Sequence, residues 1–139
     1  EEAQSEEFKV YAQNIIENTA SCQKTLSSLG AITNKTDNHL FLLNPLDSYN
    51  LTGLEAQIML ENVGITTNKN MIPNDKLTPK ETSGLRIGFA AITTRGCNKE
   101  AAIKIGELIH KVLSKKISEE EAKNEVRSLT KSMKKIENI

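Results

Sequence analysis

Tryptophan is absent from this 139-residue chain, and three phenylalanines and two tyrosines are its only large aromatics, so the core is expected to be aliphatic. Cysteine is nearly absent. Cys22 and Cys97 match no zinc-ligand spacing and no disulfide framework, which points to a reduced, cytoplasmic protein with inert thiols. No apolar run approaches membrane-spanning length, and no signal peptide opens the sequence. Neither charge is in surplus. With 18 basic and 18 acidic residues, the chain lacks the basic excess that binds nucleic acid by releasing counterions. Four glutamates in the first seven residues and a basic last thirty read as solvated helix faces. Phosphate-loop, dinucleotide and metal-ligand patterns are missing too. The start in an acidic helical pattern without a methionine suggests a piece of something longer.

The length fits one domain that buries roughly two-thirds of its unfolded surface. Residues 6–29 repeat apolar positions at helical spacing through Phe8, Tyr11, Ile15, Thr19, Cys22, Leu26 and Leu29, and Gly30 is a stop signal. Thr36 to Leu43 reads as a strand. Its run Leu40-Phe41-Leu42-Leu43 implies burial on both faces. Thr52 and Glu55 form a capping box for a short helix, with Leu54, Ile58 and Val63 expected inward and Gly64 closing it. Ile65 to Asn68 and Leu85 to Ala91 are the next expected strands. Between them, Lys69 to Ser83 is a polar connection long enough to suggest function. Two helices follow. One spans about Asn98 to Ser114, with Ala101, Ile105, Leu108 and Val112 on one face. The other starts at Ser118 and Glu121 and buries Ala122, Val126, Leu129 and Met133. The fold expected is an α+β two-layer sandwich.

Arg86 stands out as a candidate site residue. It lies just after a turn, between glycines and apolar residues, and arginine offers a planar fork that matches a carboxylate with two parallel bonds. It could hold an anion at a pocket edge or a structural acidic partner. Asp37-Asn38-His39 at a strand entrance reads better as local side-chain-to-backbone bonding than as an acid–base group. His110, beside lysines, is expected on the surface. Thr93-Thr94-Arg95-Gly96 before a helix is either a capped turn or a phosphate cradle, the turn being favoured.

Several segments, in order over about residues 6–100, carry a family resemblance. They are Glu7-Phe8-Lys9-x-Tyr11, Thr36-Asp37-Asn38-His39-Leu40, Leu51-Thr52-Gly53-x-Glu55-Ala56, the loop from Asn68 to Asp75, Thr82-Ser83-Gly84-x-Arg86-x-Gly88, and Ala91-Ile92-Thr93-Thr94-Arg95-Gly96. Together they resemble the C-terminal small domain of serine hydroxymethyltransferase, a pyridoxal 5'-phosphate enzyme of the aspartate-aminotransferase fold type (fold type I). The family interconverts serine and glycine and transfers a one-carbon unit to tetrahydrofolate. The resemblance implies that residues 1–139 form a single domain, and that the helix over residues 1–30 leads in from a missing large domain. It also implies that Arg86 binds the amino-acid carboxylate and that Asn70 contacts the folate pterin ring.

The family's cofactor-binding lysine motif is not in this sequence. The resemblance therefore implies no catalytic residue here, a cofactor held by the missing part, and no activity of the chain alone. It further implies a homo-oligomer, dimer or tetramer, at full length. Many relatives have Pro-Phe before the Thr-Ser-Gly, where this chain has Pro79-Lys80, and its end lacks the family's aromatic-proline pattern. The alternative is a non-catalytic protein-interaction or amino-acid-binding module derived from the same fold.

Overall fold

The computed structural model describes residues 6–37, 40–72, 75, 77–78, 80–88 and 98–137, the side chains of 6–8, 11, 35–37 and 132–137 excepted. Four antiparallel strands form one sheet: β1 (Thr33–Asp37), β2 (Leu40–Leu43), β3 (Asn68–Asn70) and β4 (Gly84–Gly88), in the order β1-β2-β4-β3. The five described helices are α1 (Glu6–Ser28), α2 (Pro45–Tyr49), α3 (Gly53–Asn62), α4 (Lys99–Leu113) and α5 (Glu119–Glu137).

The apolar run forms a central strand, and Phe41, Leu42 and Leu43 are all buried, as continuous apolarity implies. The expected single strand from Thr36 to Leu43 is instead a hairpin. β1 starts at Thr33 and pairs with β2 from Thr33↔Leu43 to Asp37↔Leu40, with a bulge between Lys35 and Asp37. The polar sequence Thr33–Asp37 suits an edge, where one side stays solvated, and not a buried central position. β3 likewise lies later than expected, at Asn68–Asn70, while Ile65 joins the core ahead of it.

Side chains alternate across the sheet. Phe41, Leu43, Leu85 and Ile87 join the core cluster with Cys22 and Leu26 of α1, Ala56 and Leu60 of α3, and Ile105, Ile109 and Leu113 of α4. The helices therefore cover one face of the sheet, giving two layers. α1 and α4 pack against each other. Each Leu-sized side chain in this cluster contributes about 1.5–3 kcal/mol of hydrophobic free energy.

Two expected helix faces are corrected by packing. Ile58 is 48 % exposed, because α3 buries Gly53, Ala56 and Leu60, followed by Val63 beyond its end. α3's phase is set at Gly53, whose N–H donates to the Thr82 carbonyl at 2.9 Å. Leu29 is 42 % exposed, since α1 ends at Ser28 and Gly30 (φ 101°) turns the chain away. On α4 the expected face holds, with Ile105, Leu108 and Val112 buried and Ala101 packed partly buried against the core, and the apolar stripe also takes in Ala102, Ile109 and Leu113. The Thr52–Glu55 capping box is complete, with both bonds at 2.9–3.0 Å. At Ser118 the hydroxyl accepts from the Glu121 N–H and donates to its carboxylate, both at 3.1 Å. The Met133 side chain lies outside the described residues.

Candidate functional site

Arg86 sits on β4 between fully buried Leu85 and nearly buried Ile87, so alternation turns it to the face away from the helices. Its cross-strand partners are Leu42 on β2 and Asn68 on β3. Asn70 pairs with Gly84, two residues along, and so shares that face. Arg86 is exposed, and none of the described residues forms an ion pair or hydrogen bond with its side chain. Leu42, opposite Arg86 on β2, is buried although it lies outside the helix-side core cluster. Asn70 is half-buried, and its Nδ2 donates to the Met71 carbonyl at 2.9 Å. A cation and two asparagines on one face can hold a carboxylate together with a polar ligand group.

The turn before Arg86 is held tightly. Thr82 has φ 55°, a left-handed conformation that is costly for a β-branched residue, about 1–3 kcal/mol. Its N–H donates to Thr78 O at 2.8 Å and its hydroxyl to Gly84 O at 3.1 Å, while its own carbonyl accepts from Gly53. Asp75 completes the arrangement. Its carboxylate accepts from the Ser83 hydroxyl (2.6 Å) and from the N–H groups of Ser83 (2.8 Å), Leu77 (2.9 Å) and Ile72 (3.3 Å). Burial alone would raise the Asp75 pKa. The hydrogen bonds outweigh it, the Ser83 hydroxyl first among them, and bring it down to about 2. Gly84 lets the strands meet: a Cβ there would lie 2.5 Å from Asn70 O and 2.7 Å from Ile72 Cγ2.

Sequence reading marked the loop from Asn68 to Asp75 but gave neither Asp75 nor Asn68 a role. For Asn68 the usable signal was the i, i+2 spacing with Asn70, which places both on one face of a strand. For Asp75 it was the affinity of a loop aspartate for nearby backbone N–H groups.

His110 is not the surface residue expected from its lysine neighbours. It is half-buried, and its Nδ1 lies 2.9 Å from Tyr49 Oη, with ring centroids 5.6 Å apart. Burial raises the Tyr49 pKa to about 12, and burial together with the Lys116 charge lowers that of His110. The hydroxyl and the imidazole Nδ1 thus share one hydrogen bond, and the imidazole tautomer sets which of them donates. The pair joins α2 to α4 on the helical side, across the sheet from Arg86. Cys22 is a fully buried core residue. The shallow groove between α3, α4 and the start of α5, lined in part by Met59, Val63, Val112, Ile117 and Ala122, contains no candidate residue. Asn38, His39, Cys97 and Thr93–Gly96 lie outside the described residues, as does the Asp37 side chain. Among the described residues no cluster of three or more His, Cys, Asp or Glu could hold a metal, and no helix is long and apolar enough to cross a membrane.

The family model described as serine hydroxymethyltransferase matches residues 1–109. Among curated relatives, a probable serine hydroxymethyltransferase of Mesomycoplasma hyopneumoniae (strain 7448) is 44% identical over 131 residues, covering 90% of this chain and 31% of the relative. A serine hydroxymethyltransferase of Methanospirillum hungatei is 44% identical over 114 residues, covering 81% of this chain and 27% of the relative. One from Phenylobacterium zucineum is 42% identical over 139 residues, covering 94% and 32%. The chain thus spans about a third of the length of the curated relatives it matches. With a family match across most of its length and close relatives along nearly all of it, the chain belongs to the serine hydroxymethyltransferase family.

Proposed function

We propose that this chain is the C-terminal domain of a cytoplasmic, homo-oligomeric serine hydroxymethyltransferase of fold type I. In that reading the full-length protein interconverts serine and glycine, with tetrahydrofolate carrying the one-carbon unit. Arg86 grips the substrate carboxylate and Asn70 contacts the folate. The observation that carries this is an exposed guanidinium with no partner among the described residues, on the same sheet face as Asn68 and Asn70.

Two parallel N–H···O bonds from Arg86 would fix the plane of the carboxylate. That restricts rotation about the bond to the α-carbon and so sets the direction of its other substituents. Asn70 offers an amide donor and acceptor to a heteroaromatic edge. Pyridoxal phosphate, which the family implies, finds no fitting holder among the described side chains. None of their lysines is buried, and Lys69 Nζ is taken by the Lys80 carbonyl at 2.6 Å. Its site belongs to the remainder of the full-length protein, and the domain alone is inactive.

The test is Arg86→Ala in the full-length protein. Serine turnover falls at least about tenfold, equivalent to about 1.4 kcal/mol. That is below the roughly 2–5 kcal/mol lost from fully desolvated charge pairs, in keeping with an exposed arginine. Near-normal kinetics would remove Arg86 from the substrate site.

A further inference from the structure

We propose that Asp75 is a positioning residue that locks the Asn70 loop to the Arg86 strand, so that the two ligand contacts keep a fixed spacing. The inference rests on Arg86 holding the substrate carboxylate and Asn70 the folate. Its geometric basis is independent of that assignment. Asp75 receives four donors on two oxygens: Ser83 N–H and Ile72 N–H on Oδ2, Ser83 hydroxyl and Leu77 N–H on Oδ1. A carboxylate has about four lone-pair sites, so nothing is left over for a ligand or for proton transfer. Asp75 is thereby excluded as a general base and retained as a clamp.

The donors come from both ends of the connection. Ile72 lies two residues after Asn70, and Ser83 three residues before Arg86. The segments also touch directly, through the Asn70↔Gly84 pairing and the close approach of Ile72 to Gly84. Ser83 is 2 % exposed, so its hydroxyl and N–H have no ready replacement in water. Thr82, next to it, is held in a conformation that only its surroundings maintain. Releasing the clamp would let the turn relax and shift β4 against β3, moving Arg86 and Asn70 apart.

The experiment compares Asp75→Asn, Ser83→Ala, Arg86→Lys and Ile109→Val in the full-length protein. Ile109→Val is a core variant outside the connection and serves as the stability control. Readouts are KM and kcat for serine, KM for tetrahydrofolate, the calorimetric dissociation constant for glycine, and hydrogen exchange at the Ile72, Leu77 and Ser83 amides. With Asp75→Asn, both KM values and the glycine constant rise about tenfold, within the roughly 10²-fold that ångström-scale misplacement can cost. Changes in kcat stay smaller, and the three amides lose protection. Ile109→Val lowers thermal stability and leaves all binding constants in place. If Asp75→Asn fails to fold, Ser83→Ala, which removes only the 2.6 Å hydroxyl bond, carries the same expectation at smaller size. Unchanged binding in the clamp variants beside an impaired Arg86→Lys overturns the clamp alone. An Arg86→Lys variant with unaltered serine and glycine binding overturns the substrate reading, and the clamp with it.

Discussion

Replacing Gly53 by alanine sets two effects against each other, and the structure decides the sign. Gly53 opens α3, where alanine is the better helix former by at most about 1 kcal/mol. A methyl group there would collide with Thr82 Oγ1 and the Gly84 carbonyl oxygen, and would lie 3.2 Å from Glu81 O. Two of these three atoms are backbone and cannot swing aside. Restoring ordinary van der Waals contact with these oxygens requires α3 to withdraw by roughly 1 Å. Gly53 N–H and Leu54 N–H donate to Thr82 O and Glu81 O at 2.9 Å each, and both bonds would stretch beyond useful range. Two lost bonds cost about 1–3 kcal/mol, and residual overpacking costs a similar amount. After the helix preference is returned, the net loss is about 1–5 kcal/mol. For a chain of this size that lowers the melting temperature by about 3–17 °C. Thermal and urea unfolding followed by circular dichroism measure it directly. A melting temperature that is unchanged or raised would refute the claim that the turn and the helix start are in rigid contact.

Acid dependence follows from Asp75. Its folded pKa, about 2, lies below the ordinary aspartate value, so its stabilisation is complete above about pH 4 and vanishes as pH falls toward 2. The urea-midpoint gap between the parent chain and Asp75→Asn should therefore narrow over that interval and stay constant near neutrality. His110 has the same sign in a different window: its lowered pKa means the unfolded state takes up a proton first, so stability declines as pH drops below about 6.5. An imidazole NMR titration should find the midpoint below that value, and His110→Gln should flatten the decline. Tyr49→Phe leaves Nδ1 without its hydrogen-bond partner and should lower stability by about 1–2 kcal/mol in urea unfolding. In the parent, Tyr49 should titrate near 12 by absorbance, with its share of stability lost as pH rises from about 10 to 12.

Much of the frame was legible because it rests on short-range rules. The Thr52–Glu55 box, the long first helix, the apolar run of β2 and the two closing helices all announce themselves through spacing and caps. The hairpin before β2 was missed. Polar residues such as Asn34 and Lys35 satisfy no alternation rule, and only pairing with Leu42 and Phe41 makes them a strand. Ile58 was assigned inward on periodicity alone, whereas α3's phase depends on a contact with a turn nearly thirty residues later. His110 was read from its lysine neighbours, and its actual partner is Tyr49, 61 residues away in sequence.

The order of residue types, read alone, determined an aliphatic α+β chain, the starts of its longer helices, its family resemblance, and the choice of Arg86 and Asn70 as the residues to watch. Those properties follow from local propensity and motif, which need no partner distant in the chain. Only the tertiary structure decided that Arg86 faces away from the core beside Asn68 and Asn70, and that Asp75 binds both ends of the connection between them. Facing and clamping are set by strand register and by hydrogen bonds across many residues, and these exist only once the chain has folded back on itself.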